Sequence, residues 1–309
     1  MNKKINTINT LNNAKKCNNF FATTSFNDDN QIKIPIDFAN LIDKNDKNDP
    51  LLKQVFINNH NNFNGFTGEP LKDSDNSPVD GLIHKYKNRA LLITTGSCAI
   101  FCRYCFRQNF PYIQNDGIQN WDKISAYLTN NTQINELILS GGDPLSLSDK
   151  KLCDLFEKIE KISNIKTIRI HSRTFSIVAG RITKQFIKLI NDSNLKIIIV
   201  SHINHPNEIT SVFTADIKNL NCQILNQSVL LRGVNDNTKT LINLSNKLWE
   251  IGILPYYLHL LDKVSGTEDY LVDDKKAKKI HLSMQENLSG YLVPKLVRDN
   301  GEKYKTNIS

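Results

Sequence analysis

Three cysteines, Cys98, Cys102 and Cys105, follow one another closely in a CxxxCxxC pattern. Three thiolates on one loop can bind three corners of a cubane iron–sulfur cluster, and the backbone amides of the loop can donate hydrogen bonds to its sulfides. The fourth iron then has no protein ligand, so a small molecule can chelate it. A structural zinc ion is the alternative, but it favours four protein ligands and no fourth cysteine lies nearby. The spacing therefore predicts a [4Fe–4S] cluster.

A second candidate is the turn formed by Ser140, Gly141, Gly142 and Asp143, which follows an apolar run. Glycines at the end of a strand let the backbone approach a ligand closely. A Gly-Gly turn alone is weak evidence for a binding site. Its position one strand and one helix after the cysteines strengthens the prediction that it contacts a ligand.

The composition narrows the class of protein. The chain has 309 residues, of which 39% are hydrophobic and 23% are charged, so it can bury a full-size core. No apolar run approaches the roughly 20 residues of a membrane helix, and the N-terminal residues lack the apolar stretch of a signal peptide. We therefore expect a cytoplasmic protein with no membrane partner. The formal net charge is +8, but the basic residues are scattered, so we expect no nucleic-acid partner.

From residue 89 onward, short apolar runs alternate with amphipathic stretches. The runs predict strands at Ala90–Thr94, Glu136–Leu139, Thr167–Ile170, Lys196–Val200, Ile224–Leu231 and Pro255–Leu260. The stretches between them predict helices near 121–129, 148–162, 181–190, 207–219 and 238–250, and a last helix at Asp274–Leu288. Continuous apolar strands are typical of a parallel sheet that is covered on both faces. The alternation predicts an α/β fold, which we interpret as a partial (β/α)6 barrel, although a doubly wound open sheet shows the same alternation.

The chain divides into three predicted parts. Residues 1–80 form a mainly helical and loop extension, with a helix from Pro50 to Ile57 that Asp49 caps. Residues 81–290 form the barrel, and residues 291–309 form a C-terminal tail. In the extension, polar clusters near residues 12–13, 59–62 and 73–77 predict turns or flexible loops.

Polar side chains follow the predicted strands at their carboxyl ends. They are Cys98–Cys105, Ser140–Asp143, His171–Arg173, Ser201–His205, Gln227 and Asp262. All carboxyl ends of a parallel barrel open on one face, which holds the active site in such folds. A single histidine such as His202 would more often be structural, but the shared face of the whole set favours function.

The cysteine motif, with the aromatic residue Tyr104 before its third cysteine, resembles the radical S-adenosylmethionine (SAM) superfamily. Further blocks narrow the resemblance to the lysine 2,3-aminomutase family, and in particular to the branch that makes β-lysine for the modification of elongation factor P. These blocks are Ile170–Arg173, Val200–Pro206, Leu225–Asp236, Pro255–Val264 and Ser289–Leu296. The resemblance extends over about residues 80 to 305. It implies a partial radical SAM barrel with a [4Fe–4S] cluster, SAM and pyridoxal 5′-phosphate (PLP).

The resemblance also implies a role for individual residues. The cluster ligands are Cys98, Cys102 and Cys105. The SAM site contains Ser140, Gly141, Gly142, Asp143, His202 and Gln227. The substrate contacts are Arg107 for the carboxylate, and Asp262 and Asp299 for the distal ammonium. Arg89 contacts the PLP phosphate, with Lys85 beside it. The catalytic lysine that binds PLP covalently is Lys305, with Lys303 as the alternative because the register of the tail requires a one-residue deletion.

The implied reaction is the conversion of free L-lysine to β-lysine by a PLP-dependent isomerase, in which a SAM-derived radical removes a hydrogen atom from the β-carbon. The implied partners are a reductant such as flavodoxin or ferredoxin and a ligase that attaches β-lysine to elongation factor P, and a homodimer is the assembly we consider. One alternative is an aminomutase for another amino acid such as glutamate, which Asp262 and Asp299 disfavour because a second carboxylate would need a cation. Two further alternatives are an enzyme relic with low activity and a basic metal-binding module that contacts nucleic acid.

Overall fold

The computed structural model describes residues 8–21, 24–26, 31–56, 65–299, 301 and 305–308. Its first elements are short: β1 (Thr10–Leu11) pairs antiparallel with β2 (Ile34–Pro35), and α1 (Ala14–Phe20) and α2 (Ile36–Ala39) lie beside them. Their buried apolar side chains pack together and against Ile100 of the cysteine loop. The N-terminal segment is therefore packed onto the part of the chain that carries the cysteines.

Nine strands of the described residues hydrogen-bond into one sheet. They are β3 (Leu82–Tyr86), β4 (Arg89–Thr95), β5 (Glu136–Gly141), β6 (Thr167–Ser172), β7 (Lys196–Ser201), β8 (Gln223–Val229), β9 (Leu254–His259), β10 (Lys295–Arg298) and β11 (Thr306–Asn307). Their order across the sheet follows the chain. Strands β4 to β10 run parallel, while β3 and β11 are antiparallel to their neighbours at the two edges.

Helices connect the parallel strands. They are α3 (Trp121–Asn130), α4 (Asp149–Glu160), α5 (Thr174–Ile177), α6 (Lys184–Asp192), α7 (Ser211–Ile217), α8 (Thr238–Glu250) and α9 (Asp274–Asn287). Polar side chains cap the first turns of α4, α6, α7, α8 and α9, as Ser148 does for α4 and Thr183 for α6. The apolar faces of these helices and the outward side chains of the strands form the main core.

The sheet curls so that its two edges approach each other. Leu71 lies between them: its carbonyl accepts a hydrogen bond from Lys85 of β3, and a Cβ placed on Gly301 of the tail would lie 3.0 Å from the same oxygen. Burial and the charge of Asp299, which follows β10, raise the pKa of Tyr86 at the end of β3. This curled, open parallel sheet with helices confirms the predicted α/β partial barrel.

The six predicted strands are confirmed, with ends that shift by at most two residues. The sequence missed β3, β10 and β11 because they are short and contain few apolar residues; β3 and β11 are the two edges, and β10 lies beside β11. The predicted helix at Pro50–Ile57 is wrong: only a 3₁₀ turn at Leu52–Gln54 forms, although Asp49 does accept hydrogen bonds from the amides of Leu51 and Leu52.

The remaining predictions have different outcomes. The predicted helix at 207–219 is split into a 3₁₀ turn at Pro206–Glu208 and the shorter α7. The turn predicted at 59–62 lies outside the described residues. The division into three parts stays a prediction. Within the described parts of the chain, no helix combines the length and apolar character needed to cross a bilayer.

Candidate active site

The cysteine loop follows β4 and is held by the N-terminal segment. The amide of Phe101 donates to the carbonyl of Lys33 at 2.8 Å, and the amide of Arg103 donates to the carbonyl of Gln54 at 3.0 Å. Within the loop, the amide of Cys105 donates to the carbonyl of Cys102 at 3.1 Å. These bonds fix the backbone between the cysteines from outside the barrel.

The three thiols share one buried environment. Burial raises the pKa of all three, that of Cys105 to about 11, and the neighbouring thiols raise it further in Cys98 and Cys105. A bound metal lowers these pKa values again, because a coordinated thiol is deprotonated outright. No three His, Cys, Asp or Glu side chains of the described residues converge on a single metal ion. A cubane cluster does not need the three thiolates to meet at one ion, because each thiolate binds a different iron. Three neighbouring thiols therefore fit such a cluster.

The Gly-Gly turn packs on the start of the cysteine loop. The amide of Gly142 donates to the carbonyl of Thr95 at 2.7 Å, and the amide of Asp143 donates to the carbonyl of Ser97 at 2.9 Å. A Cβ on Gly142 would lie 2.5 Å from the Ser97 oxygen, and Gly141 has a φ of +118°. The two glycines therefore allow the turn to pack closely against the backbone that leads into the cysteines.

The carboxylate of Asp143 is hydrogen-bonded to other groups of the protein. It accepts hydrogen bonds from the amides of Leu145, Arg173 and Thr174 and from the hydroxyl of Ser172, at 2.7 to 2.9 Å. This carboxylate thus ties the carboxyl ends of β5 and β6 together. A role for Asp143 in a SAM site would be to hold this edge in shape.

His202 and Gln227 lie further along the same edge. The Nε2 atom of His202 lies 3.4 Å from the hydroxyl of Tyr104, and burial, followed by the charge of Arg173, lowers the pKa of His202 to about 3. The imidazole is therefore neutral. Gln227 is half-buried in β8, where it lies in register with Tyr257 of β9.

Arg107 is buried and already has two partners. Its Nε donates to Asp73 at 3.0 Å and one terminal nitrogen donates to the hydroxyl of Ser140 at 3.2 Å. Asp73 also pairs with Lys85 at 2.8 Å. Burial alone would raise the pKa of Asp73, but Arg107 and Lys85 hold it below its ordinary value.

Asp73 is a site residue that the sequence missed. Its segment was predicted to be a turn or flexible loop, and the structure has a 3₁₀ turn at Ser74–Asn76 directly after it. No local pattern distinguishes this acid from the exposed Asp75 beside it. Only the folded chain brings it to Arg107.

The C-terminal tail returns along β10 as β11 and places Lys305 inside the barrel. The Lys305 amine lies 3.2 Å from Nε2 of His259, 4.0 Å from Asp299 and 4.7 Å from the ring centre of Tyr257. Burial lowers the pKa of Lys305 to about 8, against the opposing charges of Asp299 and Asp262. Lys303 lies outside the described residues.

Two polar groups near Lys305 are buried without a hydrogen-bond partner: Oδ1 of Asp262 and Nε2 of His171. Burial and the charge of Asp299 raise the pKa of Asp262 to about 7, although Lys305 lowers it. Burial and neighbouring cations lower the pKa of His171 well below its usual value. An unpaired buried polar atom is costly, so both atoms are suited to contact a ligand.

Arg89 is the first residue of β4 and lies at the other end of that strand from the cysteines. Its guanidinium stacks on the ring of Tyr86, 3.6 Å from the centre. Arg89 and Arg169, which is paired with Glu136, both act electrostatically on the Lys305 amine. No sequence pattern marks Arg169 as a site residue, because it lies in the middle of an apolar strand.

Comparison with known proteins agrees with this geometry. A profile for a 4Fe-4S single cluster domain matches residues 86–200, which carry the cysteines and the Gly-Gly turn. The L-lysine 2,3-aminomutase of Escherichia coli K12 is 44% identical over 283 residues, which cover 89% of this chain and 82% of that one. The enzyme of the same name from Buchnera aphidicola subsp. Baizongia pistaciae is 42% identical over 309 residues, covering 97% and 88%. The chain belongs to the L-lysine 2,3-aminomutase family.

Membership of the L-lysine 2,3-aminomutase family confirms the resemblance that the motifs carry. It makes the chain an isomerase of the radical SAM type, with a [4Fe–4S] cluster and SAM. Among solved structures, SuiB of Streptococcus suis superposes with a TM-score of 0.51 at 14% identity, over 70% of this chain and 50% of that one. That likeness concerns the fold alone.

Proposed function

We propose that this chain is a PLP-dependent L-lysine 2,3-aminomutase that converts free L-lysine to β-lysine. The observation that carries the proposal is the position of Lys305, whose buried amine lies beside His259 and the carboxylates of Asp262 and Asp299. In a chain of this family, a buried lysine with a pKa of about 8 suits covalent binding of a cofactor aldehyde.

The surroundings of Lys305 support PLP as that cofactor. Arg89 and Arg169 place two guanidinium groups within electrostatic reach of the amine, and guanidinium is well suited to bind a phosphate. The amine of Lys85 is paired with Asp73 and bonded to the Leu71 carbonyl, so a bound phosphate would share it with these partners. The buried Nε2 of His171 offers a further neutral polar contact.

The charges near Lys305 support lysine as the substrate. Asp262 and Asp299 present two carboxylates for the distal ammonium, and Arg107, which acts electrostatically on Asp262, presents a cation for the substrate carboxylate. A dicarboxylic amino acid such as glutamate would bring a negative charge to the two acids. This repulsion favours lysine over glutamate.

We assign the SAM site to the edge where β5, β7 and β8 end. Ser140, Gly141, Gly142 and Asp143 lie beside the cysteine loop there, and His202 and Gln227 continue along that edge. His202, being neutral, can donate or accept a hydrogen bond without repelling the SAM sulfonium.

When bound, the cluster and SAM supply a radical that abstracts hydrogen, and PLP supplies the electron delocalisation that an amino-group migration needs. The residues of the chain hold and orient the reactants. Arg107 and the two acids fix the two ends of lysine, so the β-carbon is presented in one orientation. Burial of the Lys305 amine lowers its pKa to about 8, so part of it is neutral near pH 8.

The use of the product is a further part of the proposal. We propose that the β-lysine is attached to elongation factor P by a partner ligase and that a flavodoxin or ferredoxin reduces the cluster. The motifs of this branch support both, and we consider a homodimer as the assembly. No contact of the described residues bears on these partners.

The deciding experiment is anaerobic reconstitution with iron, sulfide and PLP, followed by borohydride reduction and peptide mass analysis. Four irons per chain and a pyridoxyl group on Lys305 are the expected result. The Lys305→Ala variant should lose the adduct and β-lysine formation, while Lys295→Ala, at an exposed position, should keep both. An adduct on Lys303 would correct the residue, and a cluster without an adduct would overturn PLP dependence. A loaded enzyme that makes no β-lysine from L-lysine would favour the relic or another substrate.

A further inference from the structure

Gln54 of the N-terminal segment is fully buried and touches several separate segments of the barrel. Its side-chain nitrogen donates to Glu208 at 3.1 Å. Its side-chain oxygen accepts from Arg173 at 2.9 Å, from Asn204 at 3.0 Å and from the hydroxyl of Tyr104 at 3.4 Å. Its backbone carbonyl holds the cysteine loop through Arg103. One amide thus links the cysteine loop to the ends of β6 and β7.

Two opposite charges lie at the centre of these contacts. Arg173 and Glu208 form a buried ion pair at 3.1 Å. The carboxylate of Glu208 also accepts the amides of Asn204 and His205 at 3.0 and 2.9 Å. A buried charge that loses one of its partners is costly, so these contacts define a single arrangement.

The same charges reach the cluster ligand Cys102. Arg173 acts on this sulfur as a nearby positive charge and Glu208 as a nearby negative charge. The amide of Arg103, the residue after Cys102, donates to the carbonyl of Gln54, and the hydroxyl of Tyr104, two residues after Cys102, donates to the side chain of Gln54. The reduction potential of an iron–sulfur cluster depends on the charge around it. The network therefore places two charges next to one ligand and bonds the loop that carries it.

We propose that Gln54 is a positioning residue for the cluster: it fixes the Arg173–Glu208 pair and Tyr104 against Cys102, and this arrangement sets the reduction potential. The step affected is the one-electron reduction of the cluster from the 2+ to the 1+ state by an external reductant of the flavodoxin or ferredoxin class. A negative charge added beside Cys102 makes this reduction harder, and a negative charge removed makes it easier.

The test is a redox titration of the reconstituted full-length chain without SAM, followed by electron paramagnetic resonance of the reduced cluster. Gln54→Leu removes the amide that joins the two charges to the cysteine loop and keeps both charges, and Glu208→Gln removes one charge with little change in shape. We expect the midpoint potential to shift from that of the unmodified chain in the first variant and to become more positive in the second. The control is Asn18→Ala, which removes an amide of the N-terminal segment. Among the described residues this amide bonds the backbone of Phe26, so its loss should leave the potential unchanged.

A merely structural role for Gln54 would lower the melting temperature of Gln54→Leu and leave its midpoint potential unchanged, and that result would overturn the proposal. If these variants fail to bind iron, Tyr104→Phe decides, because it removes the hydroxyl that donates to Gln54 and accepts from Asn204. Its potential should differ from that of the unmodified chain. An unchanged potential in Tyr104→Phe would also overturn the proposal.

Discussion

The amine of Lys305 lies 3.2 Å from Nε2 of His259, a contact made where the tail returns beside β9 and β10. Burial, followed by the charge of Lys305, lowers the pKa of His259 well below its usual value, so the imidazole is neutral. Among the described residues, the nearest carboxylate is that of Asp299, 4.0 Å away. The amine therefore contacts a neutral partner, and its burial keeps its own pKa low.

The pH dependence of cofactor binding should report this lowered pKa. Since only the neutral amine is nucleophilic, we expect the rate at which Lys305 binds PLP to rise with pH and to level off above about pH 8, where the amine has lost its proton. Absorbance time courses of the apoprotein with PLP measure the rate. Lys305→Ala serves as the background for slower reaction at other lysines. A midpoint near 10, the ordinary range for lysine, would contradict a buried amine.

Asp262 should make substrate binding depend on pH. Its pKa is raised to about 7, so its carboxylate is charged above that value and neutral below it. We expect the KM for L-lysine to rise as the pH falls through about 7, because the ammonium then loses a charged partner. Asp262→Asn should raise KM about tenfold or more at pH 8, from a charge-assisted hydrogen bond of about 1.5–3 kcal/mol, and remove this pH dependence.

Steady-state assays of β-lysine formation give these KM values. The control is Asp192→Asn, which removes an exposed carboxylate paired only with Lys188 on α6. It should leave KM unchanged. A KM for Asp262→Asn equal to that of the unmodified chain would exclude Asp262 from the ammonium site.

The parallel strands could be predicted because each is a run of apolar residues covered on both faces. The outermost strands carry no such signal: β3, at one edge, contains a histidine and a lysine, and β10, next to the other edge, is four residues long. The cysteine loop was found for a similar reason, since its ligands lie close together in the chain and their spacing is itself the pattern.

The other half of the site depends on contacts between distant residues. Lys305 was found only through the resemblance of the tail, because a lysine near the end of a chain is ordinarily solvated. Asp73 and Gln54 had no signal at all. Their partners Arg107 and Arg173 lie in other elements, and a loop acid or a glutamine has the same sequence appearance whether it is buried or exposed.

Asp73 should matter for stability as well as for the orientation of Arg107. Asp73→Asn leaves the cations of Arg107 and Lys85 buried without their carboxylate, so we expect the free energy of unfolding to fall by about 3–5 kcal/mol. Urea unfolding of the apoprotein measures this change.

The stabilisation by Asp73 should also depend on pH. Because the two cations hold the pKa of Asp73 below its ordinary value, its stabilising effect is present above about pH 3.9 and is lost as the pH falls through the lowered pKa. Asp75→Asn, an exposed neighbour, should change stability by less than about 0.5 kcal/mol; equal effects of the two variants would rule out the buried pairing.

Gly142 should be required for assembly of the cluster. In Gly142→Ala the new Cβ would lie 2.5 Å from the carbonyl oxygen of Ser97 and 2.8 Å from the carbonyl carbon of Gly96, both of which are backbone atoms. Either the turn or the start of the cysteine loop must move, at a cost of about 1–3 kcal/mol. We expect a lower iron and sulfide content per chain after reconstitution, measured by colorimetric analysis. Gly68→Ala is the matched control, since a Cβ there meets no atom within 4 Å. If Gly142→Ala binds as much iron as Gly68→Ala, the packing of the Gly-Gly turn does not position the cysteines.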